Sequence, residues 1–352
     1  MDEDQFNFFK GLVETTGPSG YEAEAQSLWR SRLEGVVDSM ETDSLGNCMA
    51  TLNNSGKPSV LLDAHIDEIG FIVRYIDDDG FVYFAAIGGF DPSTLPGNRV
   101  RIVGRRGPVL GVVGRKAVHL MEADDRKKAP DIKDLWIDVG ARGREEAESL
   151  LAVGDAGGRA NGLERMHGDF VTANSLDDRA GSYVIAEVMR AVANGGLRAC
   201  VQAGSSTQEE IGLRGARVTA YHSNADIGIA VDVTSTADIP HGSKTDIGDL
   251  RVGAGPILAR GPNTNPRVFE RLVNAASSEG APFQVEADAT GTGTNQNVMY
   301  IARSGMATGL LSIPTRYLHS SSEVLCLADV DATVAVLSRF LRDLDETVDL
   351  TP

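Results

Sequence analysis

Four short apolar runs, each followed at once by polar and acidic residues, constrain the fold of this chain more than any other feature. The runs cover residues 59–63, 198–204, 225–231 and 306–313. The polar segments after them contain His65, the pair Glu209 and Glu210, Asp232, and His319. Runs of this length are typical of buried strands, and in open α/β sheets the carboxyl ends of such strands form a ligand crevice. The sequence therefore predicts an α/β domain in which four strand ends converge on one site.

Amphipathic segments predict the helices that cover this sheet. The clearest lies at 179–193, where Ala180, Val184, Val188 and Val192 form an apolar stripe at helical spacing. Further helices are predicted at 6–13, 21–33 and 330–344.

The segment 71–166 has a different texture. Short β-rich pieces broken by Gly and Asp follow one another, and long helices are missing from most of it. Because this block separates His65 from Asp177, which the proposed site brings together, we interpret it as a small β domain inserted into the catalytic one. The predicted catalytic domain therefore combines residues 1–70 and 167–352.

Composition excludes several classes of function. Of the 352 residues, 50 are Asp or Glu and 33 are Lys or Arg, which gives a formal net charge of −17. This charge repels phosphate backbones and anionic membrane surfaces, so neither nucleic acid nor a membrane is an expected partner. A chain of this length exceeds one simple hydrophobic core, which favours two domains.

Cysteine usage and the first residues favour a cytoplasmic protein. Cys48, Cys200 and Cys326 are few and widely spaced, so neither a disulfide framework nor a structural zinc knuckle is expected. The chain begins with acidic residues where a secretory signal would be basic, and no apolar run is long enough to cross a bilayer.

Five scattered residues form a donor set suited to a pair of divalent cations, and each lies where a predicted strand ends or a predicted helix begins. They are His65, Asp177, Glu210, Asp232 and His319. Imidazole and carboxylate ligands suit zinc, cobalt and manganese alike. Glu209 directly precedes a candidate ligand, and because adjacent residues point in different directions, Glu209 can take a proton from water while Glu210 coordinates. The constellation predicts a metallohydrolase.

Each candidate also has an ordinary structural interpretation when it is taken alone. A histidine such as His65 beside a core strand is more often hydrogen-bonded than metal-bound. Asp177 could cap a helix, with Asp178 as a solvated neighbour, and the two glutamates could form a solvated turn. Adjacent like charges are costly to bury without cations, however, which favours metal binding. A metal-binding scaffold without catalysis would have no need of Glu209.

Other motifs carry less information. Four histidines lack comparable partners and are assigned surface or core roles: His119, His167, His222 and His241. The glycine-rich stretch 290–294 lacks the lysine of a phosphate loop, so we interpret it as a flexible wall of the active site. No Gly-x-Ser-x-Gly elbow or active-site cysteine signature occurs, so serine or thiol catalysis is not expected.

Four motifs, in order, resemble those of the tetrahedral (TET) aminopeptidases, a glutamyl-aminopeptidase-like family of dinuclear metallopeptidases. The motifs are Asp63-Ala64-His65-Ile66-Asp67-Glu68-Ile69-Gly70, Ser175-Leu176-Asp177-Asp178-Arg179-Ala180-Gly181, Gln208-Glu209-Glu210-Ile211-Gly212-Leu213-Arg214-Gly215 and Pro314-Thr315-Arg316-Tyr317-Leu318-His319-Ser320. The resemblance runs from about residue 8 to residue 341. It implies a mixed central sheet flanked by helices, as in zinc peptidases, with a small β-barrel or PDZ-like domain inserted at 71–166 for dimerisation and assembly.

The resemblance also implies roles for the candidate residues. One cation would be held by His65 and Asp232, the other by Glu210 and His319, and both by a bridging Asp177. Glu209 would act as the general base, and Asp67 would orient His65. The Asp177–Asp178 peptide bond is expected to be cis, which is uncommon outside proline.

By the same resemblance, the expected activity is removal of N-terminal residues from peptides with a free α-amine. Two divalent ions per subunit are expected, with zinc or cobalt favoured and manganese as an alternative. Family members assemble from dimers into twelve-subunit tetrahedra, so a homododecamer is expected. The alternatives are a deacylase or dipeptidase with the same metal site, and an endoglucanase-type glycosidase, which needs carboxylates on opposite sides of the scissile bond.

One position departs from the family pattern. The glycine-rich wall usually contains Gly-Thr-Asp-Ala, whereas this chain has Gly293-Thr294-Asn295-Gln296. Loss of that carboxylate is expected to affect substrate preference rather than the metal site. Acidic, basic and neutral preferences occur among family members, and the sequence does not choose among them.

Overall fold

The computed structural model describes residues 1–352, apart from the side chain of Asp125. The α-helices are α1 (Glu3–Glu14), α2 (Ala23–Leu33), α3 (Arg144–Leu150), α4 (Leu176–Val192), α5 (Arg214–Ser223), α6 (Lys244–Ile247), α7 (Pro266–Glu279), α8 (Gln296–Met299) and α9 (Leu327–Arg342). Short 3-10 helices cover Pro92–Thr94, Val118–Leu120, Asp125–Lys127 and Ile132–Asp134.

The strands form an eight-stranded mixed sheet, a three-stranded sheet and a closed barrel. They are β1 (Ser39–Thr42), β2 (Cys48–Leu52), β3 (Ser59–His65), β4 (Gly70–Ile76), β5 (Val82–Ile87), β6 (Arg99–Gly104), β7 (Gly107–Gly114), β8 (Trp136–Asp138), β9 (Ala156–Arg159), β10 (Glu164–Arg165), β11 (Phe170–Ala173), β12 (Cys200–Ser206), β13 (Ile227–Ser235), β14 (Ile257–Arg260), β15 (Gln284–Ala287), β16 (Ala307–Thr315) and β17 (Glu323–Cys326).

The large sheet has the strand order β1-β2-β12-β3-β13-β16-β14-β15. The four central strands, β12, β3, β13 and β16, run parallel to one another. Antiparallel strands flank them on both sides, because β2 pairs with β12 and β14 pairs with β16 in the opposite direction. All seven residues of β3 are buried, as expected for a parallel strand covered on both faces. The predicted α/β class with a mixed central sheet is confirmed.

Helices cover both faces of this sheet. One face packs against α1, α2, α4, α7 and α9, and α4 is buried along nearly its whole length. The indole Nε1 of Trp29 in α2 donates to the Ser182 carbonyl of α4 at 2.9 Å, so this buried aromatic keeps a hydrogen-bond partner. The other face packs against α5 and α8 around a smaller cluster that includes Leu61 and Met299. The predicted helix at 179–193 is therefore the central packing helix.

The barrel consists of β4-β5-β8-β7-β6-β9 and lies between Gly70 and Arg159 in the chain. Its interior is a separate cluster of apolar side chains that includes Phe71, Ile102 and Ile137. Closure pairs every strand on both sides and leaves no open edge within the barrel. The β-rich texture of this segment predicts the β structure, and the small barrel that the family resemblance implies is confirmed.

One strand end differs from the prediction. The sequence places Asp232 at the end of its strand, but β13 continues through Ser235, so this boundary is wrong. The physical reason is that pairing with β16 persists beyond the apolar run, up to the pair Ser235 and Thr315. Asp232 thus projects from within a strand rather than from a loop.

No helix among the described residues combines the length and the apolar character that crossing a membrane requires. The Asp177–Asp178 peptide bond is cis, as the family resemblance implies.

Candidate metal centre

The parallel strands bring the predicted site residues to one edge of the sheet. His65 is the last residue of β3, and Glu209 and Glu210 follow β12 by three and four residues. Asp232 lies within β13, and His319 lies in the loop after β16. Asp177 lies at the start of α4, before its regular turns, with a non-helical backbone at φ −80° and ψ 111°. All five predicted ligands and Glu209 therefore belong to one cluster.

Asp177 lies at the centre of this cluster, between two imidazoles. Its Oδ1 is 3.1 Å from Nε2 of His65, and its Oδ2 is 3.0 Å from Nε2 of His319. Burial disfavours a charged carboxylate, but the hydrogen bond from His319 and the nearby His65 outweigh burial and lower the pKa of Asp177. Each carboxylate oxygen thus faces a different histidine, an arrangement that suits a carboxylate shared by two cations.

The His65 ring is oriented by backbone. Its Nδ1 lies 3.0 Å from the Asp67 carbonyl oxygen, which can only accept, so Nδ1 carries the proton. Nε2 points into the acidic cluster, 3.8 Å from Oε2 of Glu209 and 3.8 Å from Oδ1 of Asp232. Burial opposes a charged imidazolium, but Glu209 and Asp177 outweigh it and raise the pKa of His65 well above its usual value.

His319 occupies the other side of the cluster and is partly exposed. Its Nε2 lies 3.3 Å from Oε1 of Glu210. The hydrogen bond to Asp177 and the carboxylate of Glu210 raise the pKa of His319 to about 11. Both imidazoles therefore point one ring nitrogen at carboxylate oxygens, in a site that attracts positive charge.

The remaining acids repel one another in a buried space. Burial, together with neighbouring carboxylates, raises the pKa of Glu209 to about 9 and that of Asp232 to about 7. Burial also raises the pKa of Glu210. Within the described part of the chain, Oδ2 of Asp178 is buried and makes no hydrogen bond, and the imidazole of His319, 3.3 Å away, is the neighbour of the buried Oε1 of Glu210. Uncompensated buried carboxylates are costly, so the cluster is built for cations that the protein atoms alone do not supply.

Two overlapping groups of side chains, both of which include His65, have ligand atoms close enough together to hold a cation. The atoms of His65, Asp177 and Glu210 lie within 4.8 Å of one another, and so do those of His65, Asp178 and Asp232. The donor chemistry of imidazole nitrogen and carboxylate oxygen fits divalent metals such as zinc, cobalt and manganese. Asp178 is absent from the predicted ligand set, because on sequence alone it is a solvated neighbour of a helix cap, whereas in the fold it is fully buried.

Two acidic residues hold the backbone around the site. Asp67 accepts the N–H groups of Glu209 at 2.9 Å and Glu210 at 3.1 Å. Glu323 accepts the N–H of His319 at 2.8 Å through Oε1 and that of Asp177 at 3.1 Å through Oε2. The sequence alone assigns Glu323 no role, because nothing local distinguishes it from an exposed polar residue in a loop.

The residues that were set aside lie elsewhere. His119, His167, His222 and His241 are all exposed. Asn295 differs from its expected place in a substrate-facing wall, because it is 2% exposed and its Nδ2 donates to Oδ1 of Asp63 at 2.7 Å and to Oγ of Ser206 at 2.9 Å. The side chain at position 295 thus contacts Asp63 in β3, the strand that ends at His65, and does not line an open pocket.

The fold and the similarity to known proteins are those of a peptide-bond hydrolase of the metal-dependent aminopeptidase class. The chain belongs to the M42 glutamyl aminopeptidase family, which matches residues 46–336. This confirms the TET-type aminopeptidase that the four motifs predict.

Individual relatives are similar over nearly their whole length. The lysyl aminopeptidase of Pyrococcus furiosus is 38% identical over 350 residues, which cover 99% of each chain. The TET aminopeptidase of the marine sediment archaeon Thaumarchaeota archaeon SCGC AB-539-E09 has a TM-score of 0.92 at 29% identity, covering 97% of each chain. The TET1 peptidase of Pyrococcus horikoshii, which can assemble into a tetrahedron or a large octahedral shell, has a TM-score of 0.85 at 28% identity, covering 97% of this chain and 100% of that one.

Proposed function

We propose that this aminopeptidase removes N-terminal residues at a centre of two divalent cations bridged by Asp177. The observation that carries the proposal is the position of Asp177, with one carboxylate oxygen 3.1 Å from His65 and the other 3.0 Å from His319. The bare cluster contains more buried acids than its own hydrogen bonds satisfy, which supports binding of cations there.

The ligands divide between the two positions. His65 and Asp232 would hold one cation, and Glu210 and His319 would hold the other. Asp178 is within reach of the first position and is buried there. Zinc or cobalt fits this mixed nitrogen and oxygen donor set, and manganese is an alternative. Cations bound in this way supply Lewis acidity, which lowers the pKa of water and polarises a peptide carbonyl.

Glu209 acts as the general base. Its carboxylate lies beside both proposed positions, 3.8 Å from Nε2 of His65, and it is not needed as a ligand to either. Because bound cations would favour the ionised form of Glu209, this carboxylate would accept a proton from the attacking water and return it to the departing amine. Asp67 fixes this base by accepting its backbone N–H, and the Asp67 carbonyl orients the His65 ring.

We also propose that the protein is a homo-oligomer in which dimers combine into a tetrahedral dodecamer. The inserted barrel domain at 71–166 would provide the contacts between subunits. The related TET1 peptidase of Pyrococcus horikoshii can assemble into a tetrahedron or a large octahedral shell. Support from this chain is an apolar strip on the outside of the barrel, where Leu110 is 59% exposed and Val112 is 44% exposed. Light scattering on the Leu110→Lys protein tests this, with exposed Tyr221→Lys in the catalytic domain as the control. A dodecamer that survives Leu110→Lys argues against this strip as the contact.

The activity is tested on the purified protein with chromogenic aminoacyl substrates and their N-acetylated counterparts, including lysyl, glutamyl and leucyl derivatives. We expect cleavage of the free-amine series only, loss of activity on chelation, and recovery with zinc, cobalt or manganese. Equal cleavage of the acetylated series would identify a deacylase. Activity that survives exhaustive chelation would overturn the proposed centre.

A further inference from the structure

Arg159 is a buried arginine that reaches from the barrel to the proposed metal centre. It is the last residue of β9 and is 5% exposed. Its Nη1 donates to the backbone carbonyl of His319 at 3.0 Å, and its Nη2 donates to Oγ1 of Thr94 at 3.3 Å. The guanidinium carbon lies 4.7 Å from the centre of the Phe90 ring. These contacts hold the side chain in one orientation, as a planar guanidinium allows.

Glu323 holds the same residue from the other side. Its Oε1 accepts the His319 N–H at 2.8 Å, so both backbone polar groups of His319 are bound by buried side chains. His319 has a φ of +60°, a left-handed backbone conformation that is unfavourable for residues other than glycine. The two hydrogen bonds therefore stabilise a backbone geometry that is otherwise uncommon for a residue other than glycine.

The barrel contacts His319 at a second point. The segment before Phe90 passes beside the imidazole so closely that a Cβ built on Gly89 would lie 3.5 Å from Nδ1 of His319. Oε2 of Glu323 accepts the N–H of Asp177 at 3.1 Å, which ties the loop of His319 to the start of α4. The position of the imidazole thus depends on residues from the barrel and from the catalytic domain together.

We propose that Arg159 is a positioning residue and that Arg159 and Glu323 form a clamp that keeps the His319 imidazole aimed at Asp177 and Glu210. Through this clamp the inserted barrel determines how tightly the cation position at Glu210 and His319 is held. The inference rests on the proposed two-cation centre. It goes beyond that centre because it assigns to a barrel residue a role in metal retention.

The test uses Arg159→Met, which keeps the length of the side chain and its packing on Phe90 but removes the donors. Stoichiometry and dissociation constants for Zn²⁺ are measured by titration of the metal-free protein, together with kcat, KM and the melting temperature of the metal-free form. We expect one of the two ions to bind roughly 10–100-fold more weakly, as is typical when a group that orients a ligand is lost, and the other to be unchanged. Arg159→Lys should restore part of the affinity.

The matched control is Arg101→Met. Arg101 lines the same cavity of about 310 Å³ as Arg159 but donates to the Glu14 carbonyl, so both Zn²⁺ constants should stay at wild-type values. Glu323→Gln, which leaves one of its two N–H partners without an acceptor, should weaken the ion that Arg159→Met weakens, and can weaken the other as well because Glu323 also holds the bridging Asp177.

Two further results separate the possible failures. If Arg159→Met lowers the melting temperature of the metal-free protein but leaves both Zn²⁺ constants unchanged, the residue is only structural and the clamp is overturned. If Arg159→Met does not fold, the test passes to Glu323→Gln. Zn²⁺ dissociation constants of Glu323→Gln that equal those of wild type then overturn the clamp. A wild-type protein that retains no ion would overturn the two-cation centre and the clamp together, whereas two retained ions with an unaffected Arg159→Met would overturn the clamp alone.

Discussion

The Asp67 carboxylate accepts the backbone N–H of Glu209 at 2.9 Å. Its other oxygen accepts the N–H of Glu210 at 3.1 Å, so one buried acid fixes the turn that carries both the proposed base and a proposed ligand. Asp67→Asn would present an NH2 group to one of these N–H donors. We expect kcat to fall roughly 10–100-fold while both cations are retained, which kinetic assays and elemental analysis will measure.

Ser19→Ala is the matched control for this prediction. Ser19 donates its hydroxyl to Oδ2 of Asp67 at 2.6 Å, but it does not hold the turn itself. Its loss should lower the unfolding free energy by about 1 kcal/mol with little change in kcat. A larger catalytic defect in Ser19→Ala than in Asp67→Asn would contradict the role assigned to Asp67.

Replacing Glu209 separates proton transfer from metal binding. Glu209→Gln keeps the size of the side chain but removes the base, so we expect kcat to fall by roughly 10²–10⁴-fold with both cations still bound. Glu210→Gln replaces a proposed metal ligand instead, so this variant should bind less metal than wild type. A Glu209→Gln protein with full metal content and full peptidase activity would refute the assignment.

Much of the fold follows from patterns that the sequence shows locally. The apolar run before His65 predicts β3, because a strand covered on both faces is apolar throughout, and the stripe through Ala180, Val184 and Val188 predicts α4, because apolar residues recur there at helical spacing. The flanking antiparallel strands β1 and β2 carry no comparable signal. Their place in the sheet depends on pairing with β12, which is a contact distant in sequence.

The candidate site divides in the same way. Residues such as His65 and Glu210 can be found from the sequence, because each lies at or just after the end of a predicted buried strand and within a family motif. Glu323, Asp178 and Arg159 do not, because their roles arise from contacts with backbone or ligands that lie up to 160 residues away. Such partners become visible only when the chain is folded.

The stability of the protein should depend on the titration of Glu286. Burial and the neighbouring Asp288 raise the pKa of Glu286 to about 6, above its unfolded value near 4.5. The folded state therefore holds this proton more tightly, and the resulting stability is present below about pH 4.5 and lost as the pH rises through 6. Relative to wild type, Glu286→Gln should gain about 1 kcal/mol between pH 4 and pH 8, allowing for partial exposure.

Urea unfolding at several pH values measures this gain. Glu279→Gln, an exposed change at the end of α7, is the control and should follow the wild-type pH profile. A Glu286→Gln protein whose stability runs parallel to wild type over the whole range would show that this carboxyl does not titrate as its environment predicts.

Asn295 provides a test of the one departure from the family motif. Its NH2 group donates both hydrogens, to Asp63 at 2.7 Å and to Ser206 at 2.9 Å. Asn295→Asp would place a second buried carboxyl beside that of Asp63, so one of the two must keep a proton. At pH 8 we expect the free energy of unfolding to fall by about 1–3 kcal/mol. The loss should be smaller at pH 5, where that proton is available.

The same variant distinguishes a structural role from a substrate role. The buried Asn295 side chain donates a hydrogen bond to Asp63. The ranking of lysyl, glutamyl and leucyl substrates by kcat/KM should therefore not change in Asn295→Asp. Exposed Asn7→Asp in α1 is the control for the added charge. A reordered substrate ranking at unchanged stability would instead place position 295 against the substrate, as the sequence motif suggests.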